Sequence, residues 1–139
     1  MAEGFLRKYL EGEEGLEIIS AGTAAIDGLN YTAEAIEAMK EEEIDILSGQ
    51  TKAFSKELAE FSDIILVMGQ VHKNFLLDLT PDLNEKIYLY KEFAGIEDYD
   101  KDIIDPIGQS ISVYRTIRDD IKKASAEIAR KIKELNNRK

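Results

Sequence analysis

The chain has 139 residues, the size of one domain, and combines 44% hydrophobic with 33% charged residues, a balance that excludes a disordered chain. Its formal net charge of −10 argues against nucleic acid and anionic membranes as partners, because both are recognised by patches of Lys and Arg. It contains no cysteine and a single histidine, which excludes disulfides, thiolate metal sites and cysteine nucleophiles within these 139 residues.

The opening stretch MAEGFLRKYLEGEEG lacks the apolar core of a signal peptide. No apolar run approaches the ~18 residues of a membrane span. The expected compartment is therefore the cytoplasm. There is no internal repeat, low-complexity segment or linker, so residues 1–139 read as one domain.

Residues 1–10 carry Phe5, Leu6, Tyr9 and Leu10 at helical spacing. Leu16 to Ala21 reads as a strand running into a turn at Gly22-Thr23. Thr32 is placed to cap a helix bearing Ala35, Ile36 and Met39. That helix ends in Glu41-Glu42-Glu43, acids that oppose the helix dipole and are expected to be a solvated end. Ser55 can cap a short helix carrying Leu58 and Phe61. Ile64 to Met68 is an unbroken apolar run, as expected of a strand buried on both faces. A helix from His72 to Leu79 stops at Thr80-Pro81, and Ile87 to Tyr90 reads as a further strand. From Ala94 to Ser112 there is little periodicity, and loops of that length are often functional. Val113, Ile117, Ile121, Ala124, Ile128, Ile132 and Leu135 then form one continuous helical stripe, suited to packing on a sheet. Helices alternating with strands imply an α/β fold with a parallel sheet.

The long loop holds most of the candidate chemistry. Asp98, Asp100 and Asp102 have the first spacings of a calcium loop, but the sixth position is Ile103 and the twelfth Gln109, where Gly and Glu are needed. A solvated acidic loop is the reading that remains, and no metal is expected. Asp105-Pro106 lies between Ile103-Ile104 and Ile107. A carboxylic acid enclosed by apolar residues keeps its proton more readily, as a general acid must. The same dipeptide also starts turns, and the residues alone leave both readings open. His72 has no second His or Cys for a zinc site and reads as a helix-start or hydrogen-bonding residue. Ser20 and Ser48 lie near glycines without a triad partner. Tyr88, Tyr90, Phe93 and Tyr99 read as core packing and loop anchors.

In order, Met1 to Phe5, Ser20-Ala21-Gly22-Thr23, Asp63 to Met68, His72-Lys73, Lys91-Glu92-Phe93, Asp105-Pro106-Ile107-Gly108 and Tyr114-Arg115-x-x-Arg118-Asp119 resemble the low-molecular-weight protein phosphatase family. The details are closer to its bacterial branch that includes arginine phosphatases. The resemblance implies a three-layer α/β sandwich around a four-stranded parallel sheet. It implies hydrolysis of a phosphorylated protein, on phosphotyrosine or phosphoarginine, with no cofactor. In the family a first strand leads into a Cys-x5-Arg-Ser loop followed by Pro-Met-Ala-Glu, and this chain begins at that Met. The first, interior strand and the phosphate loop, roughly 15 residues, are accordingly expected to be missing.

Of the family's functional residues, the acid of the Asp-Pro loop maps onto Asp105. There the resemblance favours the role of general acid, which protonates the leaving group and then activates water. Ile107 takes the position where phosphotyrosine enzymes usually carry an aromatic residue; it is expected at the pocket rim and leans towards phosphoarginine. With neither the Cys nucleophile nor the phosphate-binding Arg loop, the chain as written is expected to be inactive. The alternative is a phosphatase-like binding or regulatory module that has shed its nucleophile. The sequence does not set the oligomeric state.

Overall fold

A computed structural model describes residues 1–22, 31–47, 49 and 52–138. Thr23 and Ser48 lie outside the described residues. In chain order the elements are α1 (Ala2–Tyr9), α2 (Ala33–Lys40), α3 (Lys56–Phe61), β1 (Ile65–Val67), α4 (Gln70–Leu79), a 3-10 helix (Pro81–Lys86), β2 (Ile87–Leu89), α5 (Tyr90–Ala94) and α6 (Ile111–Asn137). The expected caps form. The Thr32 hydroxyl accepts from the Ala35 amide at 3.3 Å and the Ser55 hydroxyl from Leu58 at 3.1 Å.

β1 and β2 pair in parallel, in the register Ile65–Ile87, Leu66–Tyr88 and Val67–Leu89. Antiparallel strands can turn back directly, whereas parallel ones need a crossover, and α4 supplies it. Alternation along β1 then sorts its side chains into two layers. Leu66 and Met68 pack on a core formed by Phe5, Leu6, Met39, Tyr90, Ile117, Ile121, Ala124 and Ile128. Ile65 and Val67 face the other side, with Leu76, Ile87, Leu89 and Leu83. The molecule is thus an α/β sandwich of three layers, with α1, α2, α5 and α6 on one face of the sheet and α4 with the 3-10 helix on the other.

Two strand expectations are corrected. Only Val67 in β1 is buried, while Ile65 and Leu66 are half-buried, so the run is not closed on both faces. β1 has one ladder partner among the described residues, and side chains that alternate towards two unequal cores need not all be covered. Residues 16–21 form no ladder. The segment is followed by an isolated parallel bridge between Gly22 and Ala53, outside the β1–β2 sheet, and α1 holds it from the side. Arg7 donates to the Ile18 carbonyl, and the Ser20 hydroxyl donates to Glu3.

The acidic run after α2 is also corrected. Glu41 accepts from Arg115 at 2.8 Å and from Arg118 at 2.6 Å, and Glu42 accepts from Lys122 at 2.8 Å. Arg118 is buried and donates as well to the Ala38 carbonyl at 3.0 Å, one of the carbonyls that a helix end leaves without an internal partner. The run is therefore an ion-pair seam between α2 and α6. The cations of α6 offset the unfavourable placement of acids at a helix C-terminus.

Hydrogen bonds from Arg115 and then Arg118 lower the Glu41 carboxyl from 4.5 to about 2. A carboxyl depressed in the folded state adds stability that is fully present above its unfolded pKa and is lost as pH falls through the folded value. Stability should therefore decline between about pH 4.5 and 2, and Glu41→Gln should flatten that part of the curve. Urea titrations of both proteins at stepped pH check this. Parallel curves would show that Glu41 is not coupled to folding.

Candidate active site

The loop from Gly95 to Ser110 is built by short-range bonds. Lys91, buried at the start of α5, reaches Asp98 at 3.2 Å and the Asp100 carbonyl at 3.5 Å. Lys101 donates to the Ile96 carbonyl. The Asp102 amide donates to Asp100 Oδ1 at 2.9 Å. The three acids with calcium-like spacing thus do separate jobs. Among the described residues no group of three or more His, Cys, Asp or Glu stands together as a metal site. The acids are exposed, as the sequence reading of a solvated loop expects, and these bonds anchor the loop besides.

Two contacts dock this loop on the end of β1. The Ile103 amide donates to the Met68 carbonyl at 2.7 Å, and the Gln70 amide donates to Asp102 Oδ1 at 3.0 Å. Helix α4 begins at Gly69, which has no side chain to cap it. Asp102 takes over that task from across the loop, and its carboxylate also meets the positive end of the helix. Sequence reasoning missed this role. The available signal was a helix starting on Gly, with an acid free in a later loop.

Asp105 follows three residues on. Its Oδ1 accepts from the Ile107 amide at 3.0 Å, an Asx turn of the kind Asp-Pro favours. The Gln109 amide donates to the Pro106 carbonyl at 2.9 Å, and Gly108 adopts φ of 80°, a backbone shape at this turn position that suits glycine. Ser110 then caps α6. The turn reading of Asp105 is met. The apolar enclosure is not: Asp105 is exposed, and Ile104 and Ile107 are 68% and 65% exposed. Only Ile103 and Pro106 turn inwards. Asp105 therefore stands in water at a fixed turn.

A groove of about 570 Å³ runs along α1, lined among the described residues by Glu3, Arg7, Lys8, Ser20, Tyr31 and Gly49 with their neighbours. Its side-chain cations among the described residues are occupied. Arg7 is held by Glu3 and the Ile18 carbonyl, and Lys8 by the Glu42 carbonyl at 3.0 Å. Asp105 and Ile107 do not line this groove, so the described residues do not bring the candidate acid and the groove into one site. His72 lies in the first turn of α4, as expected. Its Nδ1 is buried without a hydrogen-bond partner, so the hydrogen-bonding role is unmet at that atom. Tyr90 is core, hydrogen-bonded to Ser125, and burial pushes its phenol up. Tyr88 packs on Phe93 with ring centroids 5.2 Å apart, whereas Tyr99 is fully exposed.

The chain as a whole has matches among known proteins. A family model described as low molecular weight phosphotyrosine protein phosphatase matches residues 1–138. The chain belongs to this family. It is 30% identical over 135 residues to a protein-arginine-phosphatase of Bacillus subtilis (strain 168), covering 96% of this chain and 87% of that protein. It is 34% identical to the low molecular weight protein-tyrosine-phosphatase PtpB of Staphylococcus haemolyticus (strain JCSC1435), over 83% of this chain and 77% of that one. The solved YwlE arginine phosphatase from Geobacillus stearothermophilus superposes with a TM-score of 0.88 at 27% identity, covering 99% of this chain and 86% of that one. The family and the α/β fold expected from the sequence are thereby established. Among the described residues no helix is long and apolar enough to cross a membrane.

Removing the Asp102 acceptor should loosen the loop at its anchor. Asp102→Ala is expected to cost about 0.5–2 kcal/mol and to speed amide exchange at Gln70 and Ile103. Asp102→Asn, an equally good cap, should retain most of both. Exchange measured by NMR that is unchanged in the Ala variant would refute this anchoring.

Proposed function

We propose that this chain is the acid-bearing body of a phosphoprotein phosphatase, in which Asp105 protonates the leaving group and then activates water. The observation that carries the reading is the family match across residues 1–138, with the family's acid falling on a carboxylate held at a defined turn by the Ile107 amide. Residues 1–139 act as one domain. Phosphorylated protein is the substrate, and no cofactor is needed. Phosphoarginine is favoured over phosphotyrosine, because the B. subtilis relative is an arginine phosphatase and Ile107 offers no aromatic face at the rim.

The family's thiolate nucleophile has no counterpart among these residues, since the chain contains no cysteine. A general acid is worth about 10²–10⁴ in rate and acts only with a nucleophile in place. These residues alone are therefore inactive, and turnover requires the strand and Cys-x5-Arg-Ser loop that the family places before the first helix. The missing cysteine also favours a second reading, a phosphatase-like binding or regulatory module with no catalytic role.

One experiment separates the two. The strand and Cys-x5-Arg-Ser-Pro segment of an arginine phosphatase relative is fused ahead of Met1, and hydrolysis of an arginine-phosphorylated protein is followed. Activity is expected, and Asp105→Asn should lower kcat by about 10²–10⁴. A folded but inactive fusion would support the binding module. An active fusion indifferent to Asp105→Asn would remove Asp105 from the mechanism.

A further inference from the structure

Helix α4 carries two rows of side chains on its solvent face. Val71, Phe75 and Leu79 recur at intervals of four, which stacks them along one side of the helix. They are 76%, 41% and 49% exposed. Gln70, Asn74 and Asp78, at the same interval, form a polar row beside them and are exposed as well. The opposite side of α4 packs inwards, with Leu76 buried among Val67, Ile87 and Leu89 and Leu77 packed against that cluster. A surface helix ordinarily keeps its apolar stripe for the core and turns charge to the water. Here a second apolar row faces the water beside a single carboxylate, in a chain that is 33% charged. Apolar residues scattered singly on a surface need no explanation, but three stacked on one short helix form a continuous strip.

The polar row selects what covers this strip. Gln70 Nε2 donates to Asn74 Oδ1 at 2.9 Å, which uses the Asn74 oxygen and leaves its NH2 group to donate elsewhere. From the N-terminal end the row reads amide, amide, carboxylate. An identical helix laid antiparallel reverses that order. It sets Asp78 of one copy opposite Gln70 of the other, at both ends of the contact, so that donors meet acceptors. The same reversal places Phe75 against Phe75 at a two-fold axis and Val71 against Leu79, and opposes the two helix dipoles favourably. A parallel pair would instead face Asp78 with Asp78. Lys73, the one lysine of α4, is half-buried on the other side of the helix and does not disturb this match.

We infer that two copies of this chain associate through antiparallel α4 helices, with Phe75 at the axis. Such a contact uses the same surface on both copies and closes at the dimer. Stable complexes bury about 800 Å² and use roughly 20–30 residues a side, far more than one face of α4 offers. The pair is therefore weak and reversible, with a Kd on the order of 0.1 mM or above. A net charge of −10 on each copy opposes it, so added salt strengthens it by screening that repulsion. The contact forms beside the anchor of the acid loop, because the Gln70 amide also holds Asp102. The inference does not depend on the phosphatase reading.

The test is sedimentation equilibrium of the full chain from about 0.02 to 1 mM, a range that brackets the expected Kd. A monomer–dimer equilibrium is expected, and it should tighten when sodium chloride rises from about 0.05 to 0.5 M. Amide shifts of the 15N-labelled chain on dilution should centre on Gln70–Leu79. Val71→Glu and Phe75→Glu, both changes at exposed positions, should each weaken association by about tenfold or more. Phe61→Ser removes an aromatic ring that is 67% exposed outside α4 and should leave association unchanged. A chain that stays monomeric throughout, a dimer that weakens with salt, a dimer that survives both Glu variants, or one lost in Phe61→Ser would each overturn the proposal. A monomeric chain whose α4 amides shift on adding a leucine-rich amphipathic peptide helix would give the face to a foreign helix and overturn it too.

Discussion

The larger core of the molecule hangs on α6 and the seam it makes with α2. Residues 111–139 carry nine Lys or Arg against four Asp or Glu, so the strongly acidic remainder of the chain packs on a basic helix. Arg118 concentrates that relation in one buried side chain, bound to the Ala38 carbonyl and Glu41 and paired with Asp119. A buried guanidinium is tolerable only with its donors satisfied, and these partners fix α6 against the end of α2. Ala124 and Ile128, fully buried, bring α6 onto the same core as α1 and α5. The Ser125–Tyr90 bond then pins the start of α5. Lys91, the next residue, reaches into the acid loop. The position of Asp105 thus draws on helix packing through Lys91 as well as on the loop's own bonds to Gln70, Met68 and the Ile107 amide.

Much of this was legible in the sequence because it depends on local rules. The stripe from Val113 to Leu135, the caps at Thr32 and Ser55, the stop at Thr80-Pro81 and the Asp105 turn each need only a few neighbouring residues. The family was legible from an ordered set of short motifs, none diagnostic alone. What was not legible required partners far along the chain. Glu41 to Glu43 looked like a solvated end because Arg115, Arg118 and Lys122 lie more than seventy residues later. Asp98, Asp100 and Asp102 looked equivalent because their spacing hides three different partners. Leu16 to Ala21 has a strand's composition, but a ladder needs a neighbour, and composition cannot supply one. The exposure of Ile104 and Ile107 was hidden for a related reason: apolar neighbours in sequence suggest enclosure, while an Asx turn can point them outwards.

Under the proposed function, the work of catalysis divides between what these residues hold and what they do not. They hold a carboxyl fixed at a defined turn by the Ile107 amide. Nucleophilic attack on phosphorus, and the guanidinium grip on its oxygens that the family uses, require groups not found among them in the right place. Arg7, in the last turn of α1, is already engaged by Glu3 and a carbonyl. The most direct measurement is therefore of the unaltered chain given an arginine-phosphorylated protein whose phosphate is radiolabelled. The account predicts no phosphate released above the uncatalysed rate and no label retained on the chain. Release that scales with chain concentration would contradict it, since hydrolysis would then be proceeding without a thiol.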